Sequence, residues 1–328
     1  MIEVPDRNFG LDLVRVTETA AMAAARWQGR GDKEAADQAA VDGMRAHLTT
    51  IDLDGMVVIG EGEKDAAPML FNGERVGTGK GPKVDIAVDP IDGTRLTALG
   101  LPGALSVIAV SERGTMYAPG SLVYMDKIAV GPEAAGMIDL DAPVDRNLAR
   151  VAKAKGADVN DLTVIILDRP RNEHYIRAVR AAGARIRLIQ DGDVSAAIAT
   201  ARPDSEIDLM LGIGGSPEAV LAAAALRCMD GEIQCRLWPR DDSERQWARD
   251  NGLDLDQVMD TEDLVGGENV FFAATGVTTG EFLRGVQFRA DSAVTHSVMM
   301  RSRTGSIRYM DAYHNFRKLR EIGVTTLD

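Results

Sequence analysis

A layered α/β protein is what the 328-residue sequence predicts, on three observations. Amphipathic helical segments open the chain, apolar runs of strand length follow them, and beyond residue 156 apolar runs alternate with helical segments. The change of pattern divides the chain into an N-terminal α+β unit over residues 1–156 and a C-terminal α/β unit with parallel strands over 157–328.

The first helix is expected after Asn8, a residue suited to capping, with Phe9, Leu13, Val16, Ala20, Ala24 and Trp27 recurring at helical spacing. It should end at the turn Gly29-Arg30-Gly31, after which Asp32 caps a second helix striped by Val41, Met44 and Leu48. Asp37 falls on that stripe. A core-facing acid is costly unless it is paired or bound to a cation, so Asp37 is either a helix-end acid paired to an arginine or a ligand-facing group. Short buried strands are expected at Met56–Ile59, Val84–Val88, Ala104–Val110 and Leu122–Val130. Further strands fall at Leu162–Leu167, Ala184–Ile189, Ile207–Ile213 and Val270–Ala274, with strand-like runs between Ser292 and Tyr313. Helices are expected after Asn172, Asp193 and Ser216.

Composition narrows the function. With 45% hydrophobic residues the chain can bury a substantial core. A formal charge of −13 disfavours nucleic acid and anionic lipid as partners. The longest apolar run, Ala219 to Leu226, is far short of the roughly 18–20 residues of a membrane span. The N-terminus carries acids and a proline where a secretory signal would be basic and then apolar, so a cytoplasmic location is the expectation. Cys228 and Cys235 form no CxxC pair and are expected to be ordinary reduced thiols.

Acidic or glycine-rich loops follow several strands: GEGEKD at Gly60–Asp65, DPIDGT at Asp89–Thr94 and GIGGSPE at Gly212–Glu218. Loops at the carboxyl ends of strands are where open α/β folds collect ligands. Carboxylates gathered there repel one another, and a metal is the natural compensation. The His residues, His47, His174, His296 and His314, are scattered, which argues against zinc and for a hard cation, Mg²⁺ or Mn²⁺. Only His174, close to Arg171, merits watching. DPIDGT is equally good turn chemistry, although Asp89, Asp92 and Thr94 together could hold cations and face a phosphate. Ser216 could cap a helix with Pro217 at its first position; Glu218 would then either complement the helix dipole or bind a ligand. A dinucleotide site is the weaker idea for this loop, because the third glycine of GxGxxG falls on Pro217. Arg169 and Arg171 are either a clamp for a second anionic group or solvated surface charge.

Taken together, GRGDKEAAD at Gly29–Asp37, VIGEGEKDAAPML at Val58–Leu70, VDIAVDPIDGT at Val84–Thr94, Tyr124 in VYMDK, RPR at Arg169–Arg171, DGD at Asp191–Asp193 and GIGGSPE resemble the class II fructose-1,6-bisphosphatases. That family lies within the lithium-sensitive, metal-dependent sugar and inositol phosphatases. The resemblance runs end to end and implies an α-β-α-β-α layered fold. It implies that Asp37, Glu61, Asp89, Asp92 and Glu218 bind Mg²⁺ or Mn²⁺, and that Thr94 is the catalytic hydroxyl. Substrate contacts are implied at Asp92, Gly93, Thr94, Tyr124, Arg169, Pro170, Arg171, Asp191, Gly192, Asp193 and Gly215. Glu63 or Asp65 is the expected hydrogen-bond acceptor and general base beside Thr94.

The implied reaction is hydrolysis of the 1-phosphate of fructose 1,6-bisphosphate, a step of gluconeogenesis, in a dimer or tetramer of this chain. The spacing between the GEGE and DPIDGT blocks lacks the insertion of members that also act on sedoheptulose 1,7-bisphosphate, which favours the fructose-specific type. Alternatives are that dual activity, an inositol-monophosphatase-like sugar phosphatase, a non-catalytic sugar-phosphate sensor and, most distantly, a nicotinamide-dependent oxidoreductase.

Overall fold

The computed structural model describes residues 8–60 and 70–321. Helices α1 (Gly10–Ala25) and α2 (Lys33–Leu48) lead into β1 (Asp54–Ile59), β2 (Arg75–Val76), β3 (Lys83–Asp92), α3 (Thr94–Leu99), β4 (Leu105–Glu112) and β5 (Tyr124–Val130). Then come α4 (Val144–Lys155), β6 (Thr163–Leu167), α5 (Glu173–Ala182), β7 (Arg185–Ile189), α6 (Asp193–Ala199), β8 (Leu209–Gly215), α7 (Ser216–Arg227) and β9 (Glu232–Leu237). The described chain closes with α8 (Asp242–Asp250), α9 (Thr261–Leu264), β10 (Phe271–Gly276), β11 (Gln287–Arg289), β12 (Ser292–Arg301), β13 (Ser306–Asn315) and α10 (Phe316–Glu321).

The strands form an 8-stranded sheet, ordered β11-β12-β10-β4-β3-β1-β2 with β13 beside β12, and a 5-stranded sheet ordered β7-β6-β8-β5-β9. As expected, β6 runs parallel to both β7 and β8, while β5 is antiparallel to β8 and β9. Sheet membership does not follow a cut at residue 156. Strand β5 lies before that point yet belongs to the smaller sheet, and β10 to β13 lie after it yet complete the larger one. Periodicity marks a strand but not the neighbour it will pair with, which is why the cut looked natural in the sequence.

Three buried clusters explain the layering. Helices α1 and α2 pack on one face of the large sheet through Leu13, Met44 and Leu48 against Ile86, Ile108 and Phe271. Helices α4 and α5 cover the outer face of the small sheet through Leu148, Val151, Ile176 and Val179. Between the sheets lies α7, with every residue from Ala219 to Leu226 buried. A helix apolar all round must be buried all round, and its alanines keep it thin enough to fit between two sheets. The result is the α-β-α-β-α order. No helix among the described residues is long and apolar enough to cross a membrane.

Local capping differs in detail from expectation. Asp32 does cap α2, accepting from the Ala35 N–H at 3.0 Å. At α1 the capping position is Phe9, and Asn8 instead accepts from the Gly10 N–H at 2.9 Å. At α7 it is Gly215 that precedes the helix, and Ser216 is already its first residue, so the hydroxyl expected to cap is turned into the interior without a partner among the described residues. Both cysteines are free and buried, and burial pushes each thiol up to about 12, as inert thiols require.

Candidate active site

The site forms where the layers meet. The ladder between β3 and β4 pairs Asp89 with Val107 and next Asp92 with Leu105, so β3 carries one extra residue there. This β-bulge replaces the loop expected at DPID: the strand continues through it. Pro90, which has no N–H to donate, sits naturally at the irregularity, and the bulge re-aims the acids. Asp89 Oδ1 accepts from the Ile91 N–H at 3.0 Å, and Asp92 is buried. Gly93 then takes a left-handed φ of 95°, open to glycine without strain, and α3 begins at Thr94.

Around that point lies a cleft of about 690 Å³. Helix α2 contributes Lys33 and Asp37, the β3–α3 junction contributes Asp89 to Arg95 (Pro90 excepted), and β5 contributes Tyr124. From the smaller sheet come Arg169 and Arg171 after β6, Asp191 to Asp193 at the start of α6, and Gly215 and Glu218 around the start of α7. Every sequence-predicted site residue that the structure describes lines this cleft except Pro170, which is exposed on the turn between Arg169 and Arg171. Glu61, Glu63 and Asp65 lie outside the described residues, although Gly60, just before them, also lines the cleft. His174 is exposed, stacks on Tyr175 and is not part of the lining.

Hydrogen bonds and ion pairs fix several of these residues in place. Thr94 Oγ1 donates to Asp37 Oδ1 at 2.9 Å and lies 3.2 Å from the Ile91 carbonyl. Arg169 is tied to Asp191 Oδ1 at 3.1 Å. The Arg171 guanidinium lies 4.3 Å from the Tyr124 ring centroid, and its Nε donates to the Ile213 carbonyl at 2.9 Å.

Electrostatically the cleft is under strain. Burial, then the nearby Glu218, Asp193 and Asp191, raise the Asp92 pKa well above the usual carboxylate range. Burial likewise raises Glu218, Asp37 and Asp191, against the opposing pull of Lys127, Thr94 and Arg169 respectively. Asp92 Oδ2, Asp193 Oδ1 and Glu218 Oε2 are buried without a hydrogen-bond partner among the described residues. Among the described residues no group of 3 or more His, Cys, Asp and Glu already stands arranged to hold a metal ion. The orphaned carboxylate oxygens nevertheless suit a hard divalent cation, which would supply the missing partner and pull these pKa values down.

Comparison with known proteins decides the family. The model for "Bacterial fructose-1,6-bisphosphatase, glpX-encoded" matches residues 7–314. The chain belongs to this family. It is 44% identical over 322 residues to the Escherichia coli K12 protein named fructose-1,6-bisphosphatase 1 class 2, covering 94% of this chain and 95% of that relative. Class 2 fructose-1,6-bisphosphatases of Escherichia coli O6:H1 and Shigella flexneri match to the same extent.

Three features of this fructose-1,6-bisphosphatase-family cleft were given no role by the sequence reading, although Lys33 and Lys127 stand inside its motif blocks. Lys33 and Arg95 line it, each a cation near a predicted acid or hydroxyl. Asn172, fully buried, stitches the ends of β6 and β8 by donating to the Leu167 and Ile213 carbonyls and accepting from the Ile213 N–H. Lys127 lies buried on β5 with its Nζ 2.7 Å from Asp193 Oδ2. Burial alone would lower the Lys127 pKa, but Asp193 and Glu218 outweigh it and hold the ammonium charged. A lysine directly before the apolar run Ile128–Val130 hints at burial but not at the acid it meets.

Proposed function

We propose that the chain hydrolyses the 1-phosphate of fructose 1,6-bisphosphate to fructose 6-phosphate and inorganic phosphate. The observation that carries this is the Thr94–Asp37 pair at 2.9 Å, set in one cleft with one unsatisfied carboxylate oxygen each on Asp92 and Glu218. Divalent cations, Mg²⁺ or Mn²⁺, held by Asp89, Asp92, Glu218 and Glu61 would neutralise the ester phosphate and acidify the attacking water.

The chain's own groups then move the proton. Thr94 Oγ1, whose hydrogen is directed at Asp37, has lone pairs free to accept a hydrogen bond from water. As that water's oxygen bonds to phosphorus, one of its protons passes through Oγ1 to Asp37 and the other stays on the released phosphate; the bond between phosphorus and the sugar's O1 breaks, and O1 takes a proton from bulk water to leave as a hydroxyl, while Asp37 returns its own to solvent. Asp37 is therefore assigned to proton acceptance through Oδ1, with Oδ2 left to the cation ligation implied by resemblance. Arg171, braced on Tyr124, is assigned to the remote phosphate, and Arg169 to holding Asp191 in place.

Phosphate release from fructose 1,6-bisphosphate and sedoheptulose 1,7-bisphosphate, each with Mg²⁺, Mn²⁺ and chelator, tests the proposal. Cation-dependent turnover of the fructose ester is expected. Full activity in chelator would refute the metal assignment, and equal rates on both esters would establish the dual-activity alternative. A cytoplasmic dimer or tetramer completes the proposal; a monomer by light scattering would remove that part.

A further inference from the structure

The acid cleft has a cation buried at its base. Lys127 rises from β5 with its side chain 1% exposed, and its Nζ bonds Asp193, whose side chain is 5% exposed. The β8 backbone closes over the pair: a Cβ on Gly214 would stand 1.8 Å from Asp193 Oδ2 and 2.9 Å from Lys127 Nζ. The ion pair therefore occupies space that only a glycine leaves open, and Asp193 and Glu218, each with an oxygen unsatisfied among the described residues, act electrostatically on both Lys127 and Asp92. A buried charge that has lost its counter-charge must be neutralised by a proton or another ion.

We propose that Lys127 is a fixed internal cation of the cleft, which withdraws Asp193 from the acids that hold exchangeable divalent ions and so limits how many ions the cleft takes up. This rests on the reading of the cleft as a divalent-cation site. The ammonium occupies the position that a further metal ion would otherwise take, and Lys127 is thus a positioning residue for the ion array. Asp193 is correspondingly a structural anchor between α6 and β5.

Mn²⁺ titration of the full chain, with free Mn²⁺ read by electron paramagnetic resonance, tests the inference without recourse to turnover. Lys127→Met is expected to bind one Mn²⁺ more per chain than the unaltered protein, and Lys127→Met combined with Asp193→Asn to return to the unaltered number. Lys127→Met with an unchanged ion number overturns the inference. If that variant does not fold, Asp193→Asn alone decides. An unchanged ion number with affinity weakened about tenfold, as an unpaired ammonium repels incoming cations, supports it. Loss of an ion would make Asp193 a metal ligand and overturn it, as would unchanged number and affinity. An unaltered protein that binds no Mn²⁺ would instead overturn the reading of the cleft on which the inference rests.

Discussion

Thr94 and Asp37 are far apart in sequence yet share a hydrogen bond, and each constrains what the other can do. A threonine whose hydrogen is committed to a carboxylate presents its lone pairs to water, so its removal should be felt in the transition state. Thr94→Ala is expected to lower kcat about 100-fold or more with KM nearly unchanged, and Thr94→Ser to retain most activity; a pure KM effect would contradict the assignment. Arg171 makes the opposite prediction. Its truncation to alanine should raise KM about tenfold and leave kcat within a few-fold, because it orients substrate far from the breaking bond. Steady-state kinetics separate the two. At this scale the motifs were informative: Asp89, Asp92, Thr94 and Glu218 stood in short blocks whose chemistry could be named from the sequence. Lys127 did not, since nothing local in VYMDK reveals that Asp193, on another element, will meet it.

At the scale of elements, the seating of α1 against β12 carries a titratable group. Glu18 on α1 accepts from the Thr295 hydroxyl at 3.0 Å and lies 3.8 Å from His314 Nε2, while burial raises its pKa from 4.5 to about 7. Because the folded state holds this proton more tightly than the unfolded one, stability falls as pH rises from about 4.5 to about 7, by up to about 3 kcal/mol, and is flat beyond. His314 works the other way, its pKa being lowered by burial, so the substitution of Glu18 itself is the clean test. Glu18→Gln should raise the melting temperature relative to the unaltered protein at pH 8 and make little difference at pH 4.5; an equal gap at both would show that the carboxyl is already compensated. Elements were legible where one rule governs them. The helix expected after Ser216 formed as α7, and the strands preceding α5 and α6 paired in parallel as alternation demands. The β-bulge at Asp89–Asp92 was hidden because Pro and Gly signal a turn as readily as an irregular strand.

Across the whole molecule, the site joins the two sheets through like charges. Asp92 comes from the large sheet, Asp193 and Glu218 from helices at the ends of strands in the small one, so their repulsion acts directly across the layers. The Lys127 ammonium offsets part of it and the buried apolar contacts around α7 hold the layers together, and a bound cation would convert the repulsion into a bridge. Stability and activity should therefore move in opposite directions at Asp92. In chelator at neutral pH, Asp92→Asn is expected to melt about 2–4 °C above the unaltered protein, as removing one buried, strained carboxylate relieves its neighbours. With Mn²⁺ at roughly 100 times its dissociation constant, the unaltered protein should gain about 2.7 kcal/mol by mass action. The variant, lacking a ligand, should gain much less, and its phosphate release should be abolished. Differential scanning calorimetry in both conditions measures the crossing of the two curves. An Asp92→Asn protein less stable than the unaltered one in chelator would mean that the carboxylate is satisfied without a cation, and would undo the account of the cleft as a cage awaiting positive charge.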